Sequence, residues 1–289
     1  MNDFIQLLQK NCNYTLDYWD PDKFNWEAVS GMLARHCSDH FDIWWDPEKY
    51  NWKEDSSDLA QYCFDYFDKW WDPEKYNWEK DCDVLAQYCS EYFNKWWGSE
   101  KFNWKKHSLY LAKYCSEYFN KWWNPDKYNW VEQSSTLAKY CFAYFDKWWN
   151  PDKFNWQAAS SMLAQYCFDH FDKWWDTEKF NWKDHSWALA KHCSKHFNKW
   201  WNSEKYNWND VNWLVDCCNN HFDKWWIPNK ILAVDVHLLN NLLDNCMDKY
   251  KIWLPEFIKR NKDNIVARLL LNMDVKFLEQ LQLQNFLNK

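Results

Sequence analysis

The sequence predicts an all-α fold, an α-solenoid of about eight 26-residue helix-turn-helix repeats that is capped at both ends. Three observations predict it. Tryptophans recur every 26 residues over most of the chain, apolar residues within each period lie three and four apart, and the 289 residues include only two glycines. Steps of three and four residues place side chains on one side of a helix, whereas turn-dense β-sandwiches need more glycine.

The repeat divides the chain into three parts. A lone tryptophan, a tryptophan pair and a cysteine each keep the 26-residue step, as do Trp52, Trp70-Trp71 and Cys63 with their copies. Seven full repeats and one shortened repeat fill 20–226. We predict a degenerate N-terminal capping half-repeat over 1–19 and a helical C-terminal cap over 227–289, where leucine replaces tryptophan. Caps are needed because the terminal repeats would otherwise expose their apolar faces.

Within each repeat we expect two antiparallel helices, A over 47–53 and B over 57–71 in the copy that contains Trp52. A single helix over 52–71 would be about 30 Å long. The link to the next copy spans about 24 Å when fully extended, too short to return the chain. Asp46 before Pro47 is typical of a helix start, and Ser56 is a favoured N-cap for helix B.

Charge and motifs exclude several classes of protein. The net charge of −7 and the pI near 5.7 disfavour nucleic acid and anionic membranes, which call for a basic face. The sequence has no apolar run of 18 residues and no signal-peptide pattern, so we expect no membrane contact and a cytoplasmic protein in a reducing compartment. Nucleophile elbows, metalloprotease motifs, phosphate loops and dinucleotide fingerprints are missing, so we expect no enzyme and no cofactor.

The repeated cysteines and histidines invite a metal or redox interpretation. Neighbouring helices lie about 8–10 Å apart, beyond the Cα separation of about 7 Å that a disulfide spans, and no CxxC pair recurs. Two histidine pairs, His36 with His40 and His192 with His196, stand four residues apart and are metal candidates. Tyrosine fills the same positions in other repeats, which favours an aromatic slot with a polar tip. We therefore predict buried, free cysteines and no metal site.

The copies differ mainly just after the lone tryptophan and just after the repeated serine. A fixed scaffold that presents different side chains in each repeat is typical of proteins that bind a partner. We therefore predict a non-catalytic scaffold that binds a protein or peptide through variable residues at the A–B junctions. The predicted partner-binding residues are Met32, Lys53, Asp58, Lys80, Lys106, His107, Leu109, Tyr110, Glu132, Met162, Asp184, His185 and Trp187. Drift of a solvent-facing loop stays open as an explanation of the same variation.

The alternative function is small-ligand binding, either sugar or base stacking on part-exposed tryptophans or metal at the histidine pairs. Neighbouring tryptophans on a helix point about 100° apart, so one of each pair is expected to be part-exposed. Packing is the simpler role for these rings, because stacked repeats bury faces that no single repeat can bury alone. Self-association through the chain ends also stays open.

Overall fold

The computed structural model describes residues 20–98, 100–231 and 236–260. The chain divides into two compact units, Met1–Lys153 and Phe154–Lys289. Every regular element in these described ranges is a helix, which confirms the predicted all-α class. None of the described helices combines the length and hydropathy needed to cross a membrane. The predicted half-repeat over 1–19 and the last part of the predicted C-terminal cap lie outside the described residues.

Each repeat consists of a long α-helix, a three-residue 3-10 helix and a short α-helix. The α-helices of the first unit are α1 Trp26–His36, α2 Phe41–Trp44, α3 Trp52–Tyr62, α4 Phe67–Trp70, α5 Trp78–Tyr88, α6 Phe93–Trp96, α7 Trp104–Tyr114, α8 Phe119–Trp122, α9 Trp130–Tyr140 and α10 Phe145–Trp148. Those of the second unit are α11 Trp156–Tyr166, α12 Phe171–Trp174, α13 Trp182–His192, α14 Phe197–Trp200, α15 Val211–Cys217, α16 Phe222–Trp225, α17 Val236–Asn245 and α18 Tyr250–Arg260.

The 3-10 helices mostly connect a long helix to the short helix that follows it. These connectors are Ser38–His40, Phe64–Tyr66, Ser90–Tyr92, Ser116–Tyr118, Phe142–Tyr144, Phe168–His170, Ser194–His196, Asn219–His221 and Met247–Lys249. Two others stand elsewhere: Trp208–Asp210 precedes α15 in the shortened repeat, and Pro228–Lys230 follows α16.

The helix boundaries differ from the predicted ones, and the difference moves the A–B junction. Residues 47–50 form a turn, in which Asp46 Oδ1 accepts a hydrogen bond from the Glu48 N–H at 3.0 Å. The dipeptide Asp-Pro is common at the start of turns as well as of helices, and here it starts a turn. The long helix begins instead at Trp52 with Asn51 as its N-cap and runs through Ser56 to Tyr62. The junction predicted at Ser56 is therefore the middle of a helix.

The long helix ends at the repeated cysteine, where an indole N–H satisfies the released carbonyl. Cys63 leaves helical geometry with φ −118° and ψ 28°. Its carbonyl accepts hydrogen bonds from the Tyr66 N–H at 3.0 Å and from Trp70 Nε1 at 2.8 Å. The same indole–carbonyl bond joins Trp44 to Cys37, Trp96 to Cys89, Trp122 to Cys115, Trp148 to Cys141, Trp174 to Cys167, Trp200 to Cys193 and Trp225 to Cys218. A buried carbonyl without such a donor would cost free energy.

Consecutive repeats pack through their long helices, as the predicted solenoid requires. In the first unit α1 packs on α3, α3 on α5, α5 on α7 and α7 on α9; in the second unit α11 packs on α13, α13 on α15 and α15 on α17. The repeated serine lies in this contact and does not cap a helix. Ser30 Oγ donates to the Trp26 carbonyl at 2.5 Å and accepts from the Asn51 N–H of the next repeat at 3.1 Å.

The segment after the array contains one more copy of this pattern. Helices α17 and α18 flank the 3-10 helix Met247–Lys249, and Trp253 Nε1 donates to the Cys246 carbonyl at 2.8 Å. The indole of Trp253 is fully buried, as are its counterparts in the array. Residues 236–260, which the sequence predicts as part of a leucine-rich cap, therefore form a divergent repeat.

Candidate binding face

One side of the long helices is mostly left outside the contact between repeats, although Gly31, Asp58, Ser161 and Ala188 on that side are buried. In α7 the buried side consists of Trp104, His107, Ser108, Leu111 and Ala112, at positions one, four, five, eight and nine of the helix. Positions two, three, six, seven, ten and eleven fall on the opposite half-turn, at about 100° per residue. We call these six positions of the long helices the outer face.

Most of the predicted partner-binding residues lie on this outer face, although not at a helix junction. The exposed ones are Lys53, Lys80, Lys106, Glu132 and Asp184. The half-buried ones are Met32, Leu109, Tyr110, Met162 and Trp187. Whether a partner contacts any of them stays a prediction.

Three predicted residues are not accessible in this way: two take part in contacts between repeats, and the third occupies a helix position on the buried side. Asp58 Oδ1 accepts a hydrogen bond from Arg35 Nε at 2.9 Å, and only 6% of its side chain is exposed. His107 occupies the fourth helix position, with 4% of its side chain exposed and Nδ1 3.3 Å from Asp83 Oδ1. Burial lowers the pKa of His107, against the opposing effect of Asp83. His185 occupies the same helix position, is half-buried, and has its pKa lowered by burial. Their helix position or burial was misjudged because the helix boundaries were wrong.

Trp187 belongs to an aromatic pair that spans two repeats. Its ring centroid lies 6.0 Å from that of Trp213 on α15, and the Lys191 ammonium stands 4.5 Å from the Trp213 centroid. Both indoles are half-buried. The sequence did not point to Trp213, which belongs to the shortened repeat, or to Lys191, which lies four residues beyond Trp187 and away from the variable residues next to the predicted junction.

A second cluster combines tyrosines with lysines on α7 and α9. The Tyr110 and Tyr114 rings are nearly parallel, with centroids 6.2 Å apart. Lys113 Nζ stands 4.6 Å from the Tyr114 centroid, and Lys139 Nζ stands 5.0 Å from that of Tyr140. A hydrogen bond to Tyr114 raises the pKa of Lys113, which therefore stays charged at neutral pH. The predicted set does not include Lys113, Tyr114, Lys139 or Tyr140, because they lie farther along the helix than the variable residues next to each predicted junction.

The lysines of α7 differ from those of the short helices and turns. The lysines of the short helices and turns bind acidic or amide groups of the preceding repeat. Lys69, for example, binds Asp42 at 2.5 Å, and Lys75 binds Glu48 at 2.6 Å. Helix α7, with the sequence WKKHSLYLAKY, carries three lysines and no acidic residue. In the described part of the chain, no ion pair joins Lys105, Lys106 or Lys113 to a carboxylate.

The tryptophan pairs are mostly structural. Trp70 is buried to 1% exposure, and Trp71 is half-buried, which confirms that one of the pair is part-exposed. Phe67 stacks on Trp71 at 5.2 Å between centroids, and Trp78 meets it edge-on at 5.6 Å. A cavity of about 280 Å³ beside Asn219 and Asp248 has no tryptophan in its lining. Stacking of a sugar or base on these rings therefore lacks a supporting observation.

The histidine pairs do not lie on one helix, contrary to the premise of the metal hypothesis. Helix α1 ends at His36, and His40 follows in a separate 3-10 helix; α13 and His196 are separated in the same way. His196 stacks on Phe171 at 4.4 Å, as Tyr92 does on Phe67, which confirms the aromatic-slot interpretation there. No group of three potential ligands lies together among the described residues.

The cysteine prediction holds for most of the described thiols. Cys63 Sγ donates to the Ala34 carbonyl at 3.7 Å, and burial raises its pKa to about 12, so it stays a neutral thiol. Cysteines 63 to 246 are free. The prediction is wrong at Cys37, which is disulfide-bonded, and the spacing argument failed there because it assumed equivalent positions in regular neighbouring repeats.

Comparison with protein-family models, with curated proteins and with solved structures finds no match to this chain. The outer face must therefore be interpreted from its own geometry and chemistry.

Proposed function

We propose that this chain is a non-catalytic repeat scaffold that binds a protein or peptide through the outer face of its long helices. One observation carries the proposal, the contrast between two neighbouring helix positions. The eighth position is leucine in all eight repeats of the array, and it is buried. The seventh position, one residue earlier, is Met32, Asp58, Val84, Tyr110, Thr136, Met162, Ala188 and Trp213 in turn, and all of these are half-buried except Asp58 and Ala188, which are buried.

The chemistry of the outer face supports recognition over drift. Positions that need only to be wetted by solvent tend to be polar, because polar and charged residues dominate protein surfaces. Here Leu109, Tyr110, Met162 and Trp187 are half-buried, so each offers apolar surface while remaining accessible. Aromatic residues and methionine are enriched at interfaces, and a few such residues carry most of the binding free energy.

A capture experiment with a matched control tests the proposal. The intact chain and a variant with Leu109, Tyr110, Met162 and Trp187 replaced by Ala are immobilised and exposed to native lysate, with and without nuclease. The control variant replaces Ile43, Phe142 and Phe168 by Ala, large side chains that are 56%, 50% and 44% exposed but lie outside the outer face. Circular dichroism establishes that all three proteins are equally helical.

The proposal expects a nuclease-resistant protein that the intact chain and the control variant retain and the outer-face variant loses. Crosslinks from that protein should map to long helices. Retention of the same proteins by all three forms, or no specific retention by the intact chain, would overturn the proposal.

A further inference from the structure

Within the outer face, helix α7 differs in charge from the chain as a whole. The net charge of the chain is −7, yet α7 carries three lysines and no acidic residue. We define the basic aromatic patch as Lys106, Tyr110, Lys113 and Tyr114 of α7 with Lys139 and Tyr140 of α9. The three lysines are exposed and the three tyrosines are half-buried.

The patch is contiguous. Residues 106, 110, 113 and 114 follow one another at steps of four, three and one, which align them on one side of a helix over about 12 Å. Helix α9 packs directly against α7. Lys113 Nζ stands 4.6 Å from the centroid of Tyr114, and the Tyr114 ring lies 6.2 Å from that of Tyr110.

We propose that the basic aromatic patch binds a short acidic peptide segment in which carboxylates flank an aromatic or aliphatic side chain. The carboxylates would bind the ammonium groups of Lys106, Lys113 and Lys139, and the apolar side chain would lie against the tyrosine rings. Charge complementarity supports this occupant, since these ammoniums have no carboxylate partner among the described ion pairs while lysines elsewhere, such as Lys101 and Glu74, are paired. This inference rests on the proposed function and names the class of partner.

The dimensions of the patch favour a peptide over a nucleic acid. An extended chain covers about 12 Å in about four residues. Nucleic-acid binding relies on a positive track that neutralises many phosphates. Both helices that pack on α7 carry acidic residues, Glu79 and Asp83 on α5 and Glu132 on α9, so the positive charge does not continue as a track along the outer face.

The test uses fluorescence anisotropy with the full chain and three labelled probes. The first is a peptide of about ten residues in which Asp and Glu flank one Phe and one Leu. The second is the same peptide with Asn and Gln in place of the acids, and the third is single-stranded oligothymidine of similar charge. The key variant carries Lys106→Glu, Lys113→Glu and Lys139→Glu. A second carries Arg at the same three positions, and a control carries Lys195→Glu and Lys251→Glu, exposed lysines outside the outer face.

The intact chain should bind the acidic peptide about tenfold or more tighter than the amide peptide. The Glu variant should bind it about 100-fold more weakly, since like charges across an interface are strongly unfavourable. The Arg variant and the control should stay within about threefold of the intact chain, because they keep the charge of the patch. Circular dichroism should show that the Glu variant is as helical as the intact chain, so that weaker binding is not due to unfolding.

Equal binding of acidic and amide peptides, or unchanged binding by the Glu variant, would overturn the inference, as would oligothymidine that binds as tightly as the acidic peptide. The proposed function fails separately. If the Glu variant still retains the lysate partner that the four-alanine variant loses, the outer face binds a partner that is not acidic.

Discussion

Gly31→Ala is a sharp test of how α1 packs on α3. Gly31 is buried in the middle of α1, and a Cβ atom there would lie 2.3 Å from Asp58 Oδ2 and 2.8 Å from Asp55 Oδ1. Neither carboxylate can move away from this Cβ atom without weakening a hydrogen bond. Asp55 Oδ2 accepts a hydrogen bond from the Gly31 N–H at 3.1 Å, and Asp58 Oδ1 accepts one from Arg35 Nε at 2.9 Å.

One gain and two costs decide the sign of the change in the free energy of unfolding. Alanine gains about 1 kcal/mol over glycine in a helix interior. Inserting a methyl group into a tight contact costs about 1–3 kcal/mol. Loss of a hydrogen bond to a charged group costs about 1.5–3 kcal/mol, which is discounted here because half of the Arg35 side chain is exposed to solvent. The free energy of unfolding should therefore fall by about 2 kcal/mol.

Urea unfolding followed by circular dichroism measures this difference, and the second glycine supplies the control. A Cβ atom at Gly98 meets no atom within 4 Å, so Gly98→Ala should leave the unfolding midpoint unchanged. Asp58→Ala combined with Gly31→Ala should recover part of the loss, since Ala188 fills the position of Asp58 in another repeat. A Gly31→Ala protein as stable as the parent would refute the packing argument.

Two further predictions concern buried side chains. Trp70→Phe removes the hydrogen bond to the Cys63 carbonyl and leaves a void, so the free energy of unfolding should fall by about 2–3 kcal/mol. Trp71 is half-buried, so Trp71→Phe should lower the free energy of unfolding by less than half as much. Urea unfolding measures both changes. Burial holds the pKa of His107 below its ordinary value of 6.5, so the stability it contributes is present above pH 6.5 and lost as the pH falls below it. His107→Gln places at this position the residue found at Gln133 of the next repeat. The thermal unfolding midpoint of this variant should fall less between pH 7 and pH 5 than that of the intact chain. An equal fall in both proteins would contradict this prediction.

The fold class and the length of the repeat were predictable because both follow from the spacing of residues in the sequence. A 26-residue tryptophan step and a three-and-four apolar pattern are local signals that survive any error in helix boundaries. The boundaries were not predictable in the same way. The helix breaks at Cys63 because Trp70, seven residues later, supplies a donor to its carbonyl, and Ser56 lies inside the helix because its hydroxyl binds Asp81 Oδ2 of the next repeat at 2.7 Å. Local propensity carries no information about either contact.

The candidate site was half predicted for the same reason. Variation between copies pointed to Lys106, Leu109 and Tyr110, since they differ from their counterparts whatever the helix boundaries. Lys113 and Tyr114 were not predicted because they lie beyond the variable residues next to the predicted junction at Ser108, on which the prediction rested. Once α7 is known to run from Trp104 to Tyr114, one helical face contains both groups.

Variation on the outer face has two sources, and the structure separates them. Some of it compensates for change in the neighbouring repeat, as Gly31 accommodates Asp55 and Asp58. Such residues are tied to the scaffold, so their substitution should change stability first. Lys106 and Lys113 have no such carboxylate counterpart among the described ion pairs, and their charge does not serve the contact between repeats. If the outer face recognises a partner, Gly31→Ala must lower the free energy of unfolding with little direct effect on binding. Lys106→Glu with Lys113→Glu must weaken binding with little effect on the free energy of unfolding. The reason is that only residues whose variation is not compensated by the neighbouring repeat are left to contact a partner.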